Sequence, residues 1–270
     1  MIGFIVDVEF VWGFQARVIG LSKTSPSFYY PPPTTFIGAM AEVIAKNEKF
    51  GEQRSLKLMN KLSENLLAIG LRPLNCKPIR YEDLNRIIMI SKKMSKRLSK
   101  NILFPHPGDI PSSFDSPARG KTILASLDGD SPKLRWFIVF KNKSLDLNGK
   151  TIKIHEDIFW KIHRIGSKES VVSVVNVESF EPSIVQENIK TNYSFPYKDL
   201  KIVRGVGTWI YEVYINPFKF IDPVKDYLEG KNILPFKVPV LEMKDSEYYC
   251  IVKAKSAFKY EEEVVVGWPR

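Results

Sequence analysis

The sequence has little of what most catalytic and metal-binding sites need. It contains only two cysteines, Cys76 and Cys250, and three histidines, His106, His155 and His163. It has no HExxH or CxxC motif and no carboxylate cluster at metal-ligand spacing, which argues against a metalloenzyme. A GxxxxGK[ST] loop is also missing, which excludes a P-loop nucleotidase. We therefore expect no cofactor, no metal site and no disulfide framework.

Long hydrophobic runs are also missing. The most continuous pieces are short, such as WFIVF at 136–140, and are far below the length that spans a bilayer. The first residues carry Asp7 and Glu9 inside their apolar run and have no basic lead-in, which argues against a signal peptide. These features predict a cytoplasmic protein without a membrane partner.

Positive charge, by contrast, is in excess. Forty Lys and Arg stand against thirty Asp and Glu, which gives a net charge of +10 and a pI near 9.4. Residues 72–101 alone carry nine basic side chains against two acidic ones. Such a run is compatible with a solvated face, but the total charge favours a polyanionic partner.

Periodicity predicts an α+β protein. Residues 2–11 alternate like a half-buried strand, and 53–69 read as a helix that ends at Gly70. The pattern loosens over 71–135, returns as a strand near 134–141, and then gives a hairpin turn at Asn148 and Gly149. Short strand-like runs follow to the end, with a loose boundary near 195–205.

A proline-led stretch, FYYPPPTTFIGAMAEVIAKN at 28–47, is the most distinctive part of the chain. Pro suits the first position of a helix, Thr34 or Thr35 could cap the free amides, and Phe36, Ile37 and Met40 begin a buried stripe. A helix N-terminus with free amides is a natural phosphate site. A well-capped core helix after a proline turn explains the same pattern equally well.

Basic and aromatic residues interleave in ways that favour single-stranded RNA, because rings stack on bases while Lys and Arg hold phosphates. Core packing is the alternative for the aromatic residues. The RIGSKES segment at 164–170 adds glycine, hydroxyl and cationic groups suited to phosphate. The candidate RNA-binding residues are Trp12, Arg17, Lys23, Tyr29, Tyr30, Lys92, Lys93, Lys96, Arg97, Arg119, Lys121, Arg164, Ser167 and Lys168.

One residue offers a catalytic alternative. Metal-independent RNA cleavage needs a general base near a 2′-hydroxyl, commonly a histidine supported by Lys or Tyr. His163 lies beside Arg164, with Lys161 and Lys168 nearby, and is the best candidate. A surface or partly buried histidine at a strand end explains the same residue more simply.

In order along the chain, WGFQAR, SFYYPPPTTFIGAMAEVI and IHRIGSKESVVSV resemble the Cas-five family, a subunit of type I CRISPR interference (Cascade) complexes. The archaeal type I-A form is the most similar. The quoted motifs lie in the first two-thirds of the chain, and the last third matches only in its β-rich character.

The resemblance implies a ferredoxin-like (RRM-like, RAMP) N-terminal domain over 1–200, with a basic β-hairpin thumb at about 72–135, and a smaller β-rich domain over 201–270. It implies a subunit that binds the 5′ handle of the crRNA and caps the filament of backbone RAMP subunits, beside a large subunit. Target DNA is then met through the complex. The resemblance assigns Lys92, Lys93, Lys96 and Arg97 to thumb contacts. It assigns to the handle pocket or its scaffold Trp12, Arg17, Tyr29, Tyr30, Arg164, Ser167 and Lys168.

One branch of the family, type I-C, cleaves RNA with Tyr, Lys and His residues. This sequence has no adjacent Lys-His pair, since His106 lies between prolines and His163 follows Ile162. We therefore expect a non-catalytic RNA-binding subunit. The alternatives are a repeat endoribonuclease centred on His163 and a scaffold that binds only proteins.

Overall fold

The computed structural model describes residues 1–16, 18, 26–81, 86–88, 114–116, 120–198, 200–220 and 223–268, and shows a mixed α/β protein made mostly of strands. No helix in these ranges is long and apolar enough to cross a membrane. The helices are α1 (Pro33–Glu48), α2 (Glu52–Asn65), α3 (Glu156–Trp160) and α4 (Pro223–Leu228). The strands are β1 (Ile2–Phe10), β2 (Gly13–Phe14), β3 (Leu66–Pro73), β4 (Cys76–Tyr81), β5 (Arg86–Ile88), β6 (Phe114–Ser116), β7 (Lys121–Ser126), β8 (Lys133–Phe140), β9 (Ser144–Leu147), β10 (Lys150–Lys153), β11 (Val172–Phe180), β12 (Ser183–Thr191), β13 (Phe195–Pro196), β14 (Lys201–Val206), β15 (Thr208–Ile215), β16 (Ile233–Val240), β17 (Tyr249–Tyr260) and β18 (Glu263–Val266).

A four-stranded antiparallel sheet of order β11-β1-β8-β3 forms the centre of the molecule. The predicted first strand is confirmed, but its predicted half-burial is wrong. Phe4, Val6 and Val8 pack in the cluster that holds α1, whereas Ile5 packs with Phe137 on the opposite face. The second face is buried because strands from the C-terminal half cover it.

Helix α1 begins where the prolines predict, with Pro33 at its first position and Phe36, Ile37, Met40 and Ile44 buried. The predicted threonine cap is wrong, because Pro32 is the N-cap residue and no side chain caps the helix. The fixed φ of proline favours a helix start ahead of the threonines, so Thr34 and Thr35 lie inside the first turn.

Helix α2 ends at Asn65, before the predicted end at 69, and Gly70 is not its stop. The apolar run that follows is β3, which pairs with β8 along its length. Gly70 lies within this strand, where an added Cβ would come 2.7 Å from the Ser194 backbone oxygen. Pairing with β8 and close packing at Gly70 thus override the helical spacing of the apolar residues in this run.

The loosely patterned region contains an antiparallel ribbon of β4 and β7, which β2 extends to a three-stranded sheet of order β2-β7-β4. Strand β4 pairs with β7 from Cys76–Ser126 to Tyr81–Lys121, and β5 pairs with β6 farther along. The hairpin predicted at Asn148 and Gly149 is also confirmed, because it joins β9 to β10 and both turn residues have positive φ.

The C-terminal half is β-rich, as predicted. Its sheets have the orders β12-β17-β14 and β13-β16-β15, and β18 also pairs with β17. An ion network joins this half to the central sheet, since Arg135 bonds Asp7 at 2.6 and 2.8 Å and Glu263 at 2.9 Å. The division into two domains at residue 201 stays a prediction, and β12 pairs with β17 across that position.

Candidate nucleic-acid interface

Three distant segments of the sequence meet around Gln15. The Gln15 backbone N–H donates to Ser170 Oγ at 2.9 Å, and its carbonyl accepts from the Ser167 N–H at 3.1 Å. The next residue, Ala16, accepts a hydrogen bond from the Phe28 N–H at 3.1 Å. The WGFQAR, FYYPPPTT and RIGSKES segments are therefore brought together by backbone hydrogen bonds.

A cleft of about 300 Å³ opens between these segments at the N-terminus of α1. Gln15, Pro32, Thr34, Thr35 and Gly166 line it, together with residues from β15 and α4. The first turn of α1 contains no acidic residue and has no side-chain cap. Since the helix dipole places partial positive charge there, the cleft has the electrostatics of an anion site.

The RIGSKES loop is shaped by its glycine. Gly166 has φ +119°, and a Cβ at this position would come 2.9 Å from both the Gln15 oxygen and Ser170 Oγ. Ser170 is buried and accepts a hydrogen bond from the Gln15 N–H, so its hydroxyl holds the loop in place; its predicted role as a phosphate donor is wrong. Ser167 remains half-buried at the edge of the loop.

The two cations of this loop are placed differently. Arg164 forms a bidentate pair with Glu42 of α1, at 2.9 and 2.7 Å. Hydrogen bonds from Lys46 and Arg164 outweigh partial burial and lower the pKa of Glu42 below its ordinary value. Lys168, by contrast, is highly exposed, and the Glu169 carboxylate lies 4.0 Å away. Arg164 therefore anchors the loop, and Lys168 is available to a ligand.

The predicted aromatic residues also differ from one another in burial. Trp12 is half-buried and donates its indole N–H to the Glu169 carbonyl at 2.9 Å. Tyr29 is half-buried, with the Arg80 guanidinium 4.9 Å from the centre of its ring. Tyr30 is fully buried, so its ring serves only as scaffold and cannot stack on a base. Phe28 is buried too, and packs on Tyr214, as the core-packing alternative holds.

Comparison with known proteins places these features in a family. No protein-family model matches the sequence. A crystal structure described as "a CRISPR protein from Archaeoglobus fulgidus" is 44% identical, covers 100% of both chains and superposes with a TM-score of 0.74. Two proteins of Saccharolobus solfataricus, "CRISPR system aCascade subunit Cas5 1" and "CRISPR-associated protein Cas5 3", are each 28% identical over 97% of both chains. The chain belongs to the Cas-five, or Cas5, family.

In this Cas5-family chain, one further predicted site residue lies in the ribbon. Lys121 is half-buried at the first position of β7, opposite Tyr81. The others lie outside the described residues: Arg17, Lys23, Lys92, Lys93, Lys96, Arg97 and Arg119.

Sequence reasoning missed Glu212, a buried carboxylate that supports the FYYPPPTT segment. It accepts the backbone N–H groups of Tyr29 at 2.7 Å and Tyr30 at 3.3 Å, and the hydroxyl of Tyr214. Burial raises the pKa of Glu212 to about 7, although these hydrogen bonds act in the opposite direction. The alternation of β15 could have revealed it, because Glu212 lies on the same inward-facing side of the strand as Tyr214.

Arg80 was also missed as a partner of the site. It lies on β4, at the base of the ribbon, and its stacking on Tyr29 joins the ribbon to the proline-led segment. Thr122 of β7 adds a second link, since its hydroxyl donates to the Phe28 carbonyl at 2.5 Å. The ribbon and the cleft are thus connected through residues 28 and 29.

Proposed function

We propose that this Cas5-family chain is a non-catalytic, crRNA-binding subunit of a type I CRISPR Cascade complex. In this role it holds the 5′ handle of the crRNA in the cleft at the N-terminus of α1. It caps one end of the filament of backbone RAMP subunits, contacts the large subunit, and meets target DNA through the complex in the cytoplasm.

The observation that carries the proposal is the convergence of the three segments on one cleft. An uncapped helix N-terminus, the close approach permitted by Gly166 and the exposed Lys168 side chain are complementary to a phosphate. Tyr29, whose half-buried ring contacts Arg80, follows Phe28, which lines the cleft. Phosphate contacts combined with aromatic rings are typical of single-stranded RNA binding.

The topology supports the ferredoxin-like part of the proposal. The central sheet follows the order strand, helices, two strands, helix, strand, from β1 through α1, α2, β3, β8, α3 to β11. This order agrees with the β-α-β-β-α-β arrangement of ferredoxin-like folds. In the chain, the ribbon of β4 to β7 is inserted between β3 and β8. The family resemblance predicts the thumb at this position.

The relatives support the assembly and an archaeal origin. One carries the name of an aCascade subunit, and the organisms of the similar proteins, Saccharolobus solfataricus and Archaeoglobus fulgidus, are archaea. We therefore assign this chain to an archaeal complex, with type I-A as the preferred form.

The endoribonuclease alternative centres on His163, which is exposed. In the described part of the chain, no side chain hydrogen-bonds or ion-pairs with its imidazole, so no contact favours this role. Metal-free incubation of repeat RNA with the wild type and with His163→Ala distinguishes the two functions. Cleavage that disappears in the variant would replace our proposal with the catalytic one.

The experiment that tests the proposed function is end-mapping of the RNA that copurifies with the protein. We expect a shared 5′ end derived from the CRISPR repeat. The informative variant is Thr35→Glu. A carboxylate at the third helical position is stabilised by the helix dipole but repels a phosphate. Its melting temperature should stay the same or rise while handle RNA is lost.

Thr151→Glu, on exposed β10, is the matched control and should retain the RNA. RNA of random sequence on the wild type would contradict handle recognition. Equal RNA retention by Thr35→Glu and Thr151→Glu would place the RNA elsewhere than the cleft. An absence of RNA from both the isolated protein and the assembled complex would favour the scaffold that binds only proteins.

A further inference from the structure

A second basic surface lies on the outer face of the C-terminal sheet β12-β17-β14. Along β17, Val252 and Ala254 point inward and are buried, whereas Lys253 and Lys255 are exposed. This alternation gives the sheet one apolar face, which packs in a core cluster, and one charged face. The charged face shares no residue with the cleft at α1.

Strand register places like charges side by side on this face. Lys253 of β17 is directly opposite Lys201 of β14 on one side and Asn188 of β12 on the other. Directly opposed like charges destabilise a sheet. Within the described part of the chain, no carboxylate lies within ion-pair distance of Lys201, Lys253 or Lys255. Folding alone therefore gives no reason for this arrangement.

Farther along the same face, an aromatic ring lies near two cations. Lys190 and Arg204 are both opposite Ile251, so they share the outer face. The Lys190 ammonium lies 4.1 Å from the centre of the Tyr249 ring, and the Arg204 guanidinium lies 6.0 Å from it. The Lys190 ammonium also lies 3.7 Å from the Glu247 carboxylate. This ion pair is exposed and therefore weak.

The face is concave as well as charged. A trough of about 870 Å³ is lined by Lys201, Lys253, Lys255 and Asn188, with Glu187 at its edge as the one carboxylate. A neighbouring concavity of about 660 Å³ is lined by Tyr249 and Lys190, and also by the carboxylates Glu247 and Glu262. It shares Asn188 with the trough, so the two depressions are adjacent.

We propose that this face is a second nucleic-acid site that binds a single strand. The lysines neutralise consecutive phosphates, and Tyr249 stacks on one unpaired base. A sheet face that combines a ring with flanking cations is a recurring platform for single strands, since every base has a π-face and the backbone supplies the charge. A duplex does not meet these requirements, because its bases are already stacked. The site goes beyond handle recognition and does not depend on it.

The test uses the full-length protein and a fluorescein-labelled oligouridylate of about 12 nucleotides, which has no handle sequence. Binding is followed by anisotropy over a series of KCl concentrations. The triple variant Lys201→Glu, Lys253→Glu, Lys255→Glu should weaken binding at least about tenfold and flatten the slope of log K against log salt by roughly 2, about 0.7 for each lost contact. Tyr249→Leu should weaken binding about tenfold and leave the slope unchanged.

The control is the triple variant Lys57→Glu, Lys141→Glu, Lys153→Glu. These lysines are exposed elsewhere on the molecule, and no ion pair holds them in the part of the chain that the structure describes. Both triple variants have the same net charge, so nonspecific attraction is matched. The control should change affinity less than about twofold. Equal losses in the two triple variants would overturn the proposal.

Two further measurements keep the result interpretable. Lys201→Gln removes repulsion, so it should not lower the melting temperature, and it still removes one phosphate contact. A variant that binds less without loss of stability therefore separates ligand binding from folding. A labelled duplex of the same length should bind more weakly than oligouridylate or oligothymidylate. Equal or tighter binding of the duplex would overturn the single-strand assignment.

Discussion

The Glu212 carboxylate makes the proline-led segment sensitive to pH. Burial raises its pKa to about 7, from 4.5 in an exposed group. Between these values the folded state holds a proton that the unfolded chain has released. Raising the pH through this window therefore lowers the free energy of unfolding, by roughly 3 kcal/mol at most. Glu212→Gln cannot titrate and should lose this part of the pH dependence.

Urea unfolding at about pH 5 and about pH 7.5 measures this contribution. The wild type should lose more stability than Glu212→Gln between the two conditions. Glu247→Gln is the control, because Glu247 is exposed, and it should follow the wild type. Parallel pH profiles for the wild type and Glu212→Gln would show that the carboxyl does not titrate in this window.

Lys168 and Arg164 lie in the same loop but should respond differently to truncation. Lys168→Ala removes an exposed charge, so the salt slope of handle-RNA binding should fall by about 0.7 while stability stays unchanged. Arg164→Ala breaks the pair with Glu42 and should cost roughly 1 kcal/mol of stability. Its salt slope should change less than that of Lys168→Ala. The reverse pattern would exchange the roles that we assign to them.

The loop that carries these residues depends on Gly166. In Gly166→Ala, positive φ and the close Gln15 and Ser170 atoms both oppose the new methyl group. We expect a loss of about 2 kcal/mol and weaker handle-RNA binding. Gly129→Ala separates the two causes, since Gly129 also has positive φ but a Cβ there would meet no atom within 4 Å. An equally large effect at Gly129 would mean that crowding at the cleft is unimportant.

The basic run at 92–97 supports a prediction about charge. Reversing Lys92, Lys93, Lys96 and Arg97 together should flatten the salt slope of crRNA binding by roughly 3, about 0.7 for each lost contact. The measurement is the affinity for crRNA over a salt series, in the full-length protein. An unchanged slope would remove these four residues from the RNA interface.

Single elements were predictable where local chemistry decides them. Proline fixed the start of α1, and Asn148 with Gly149 fixed a hairpin, because both depend on backbone conformation. The end of α2 was not predictable from spacing. Leucines that continue a helical pattern belong instead to β3, where pairing with β8 buries them. Such choices depend on strands far away in the sequence.

For the whole molecule, too, features set by local sequence were predictable and contacts between distant segments were not. The sequence motifs identified the segments that form the cleft, and the Cas5 resemblance gave their order. Their supports were harder to find: Glu212 lies far along the chain from Tyr29, and Arg80 reaches the site only because β4 pairs with β7. Tyr30 was predicted to bind RNA because it is aromatic, but it is fully buried and serves as scaffold. Contacts of this kind follow from the packing of whole sheets.

The central claim is that the cleft at α1 holds the 5′ handle of the crRNA. Its most direct test is photocrosslinking of repeat-derived RNA, with a 4-thiouridine placed at each handle position in turn, followed by mass spectrometry of the crosslinked peptides. We predict crosslinks in residues 12–18, 28–35 and 164–170. Handle crosslinks confined to other segments, with these three unmodified, would contradict the assignment of the cleft.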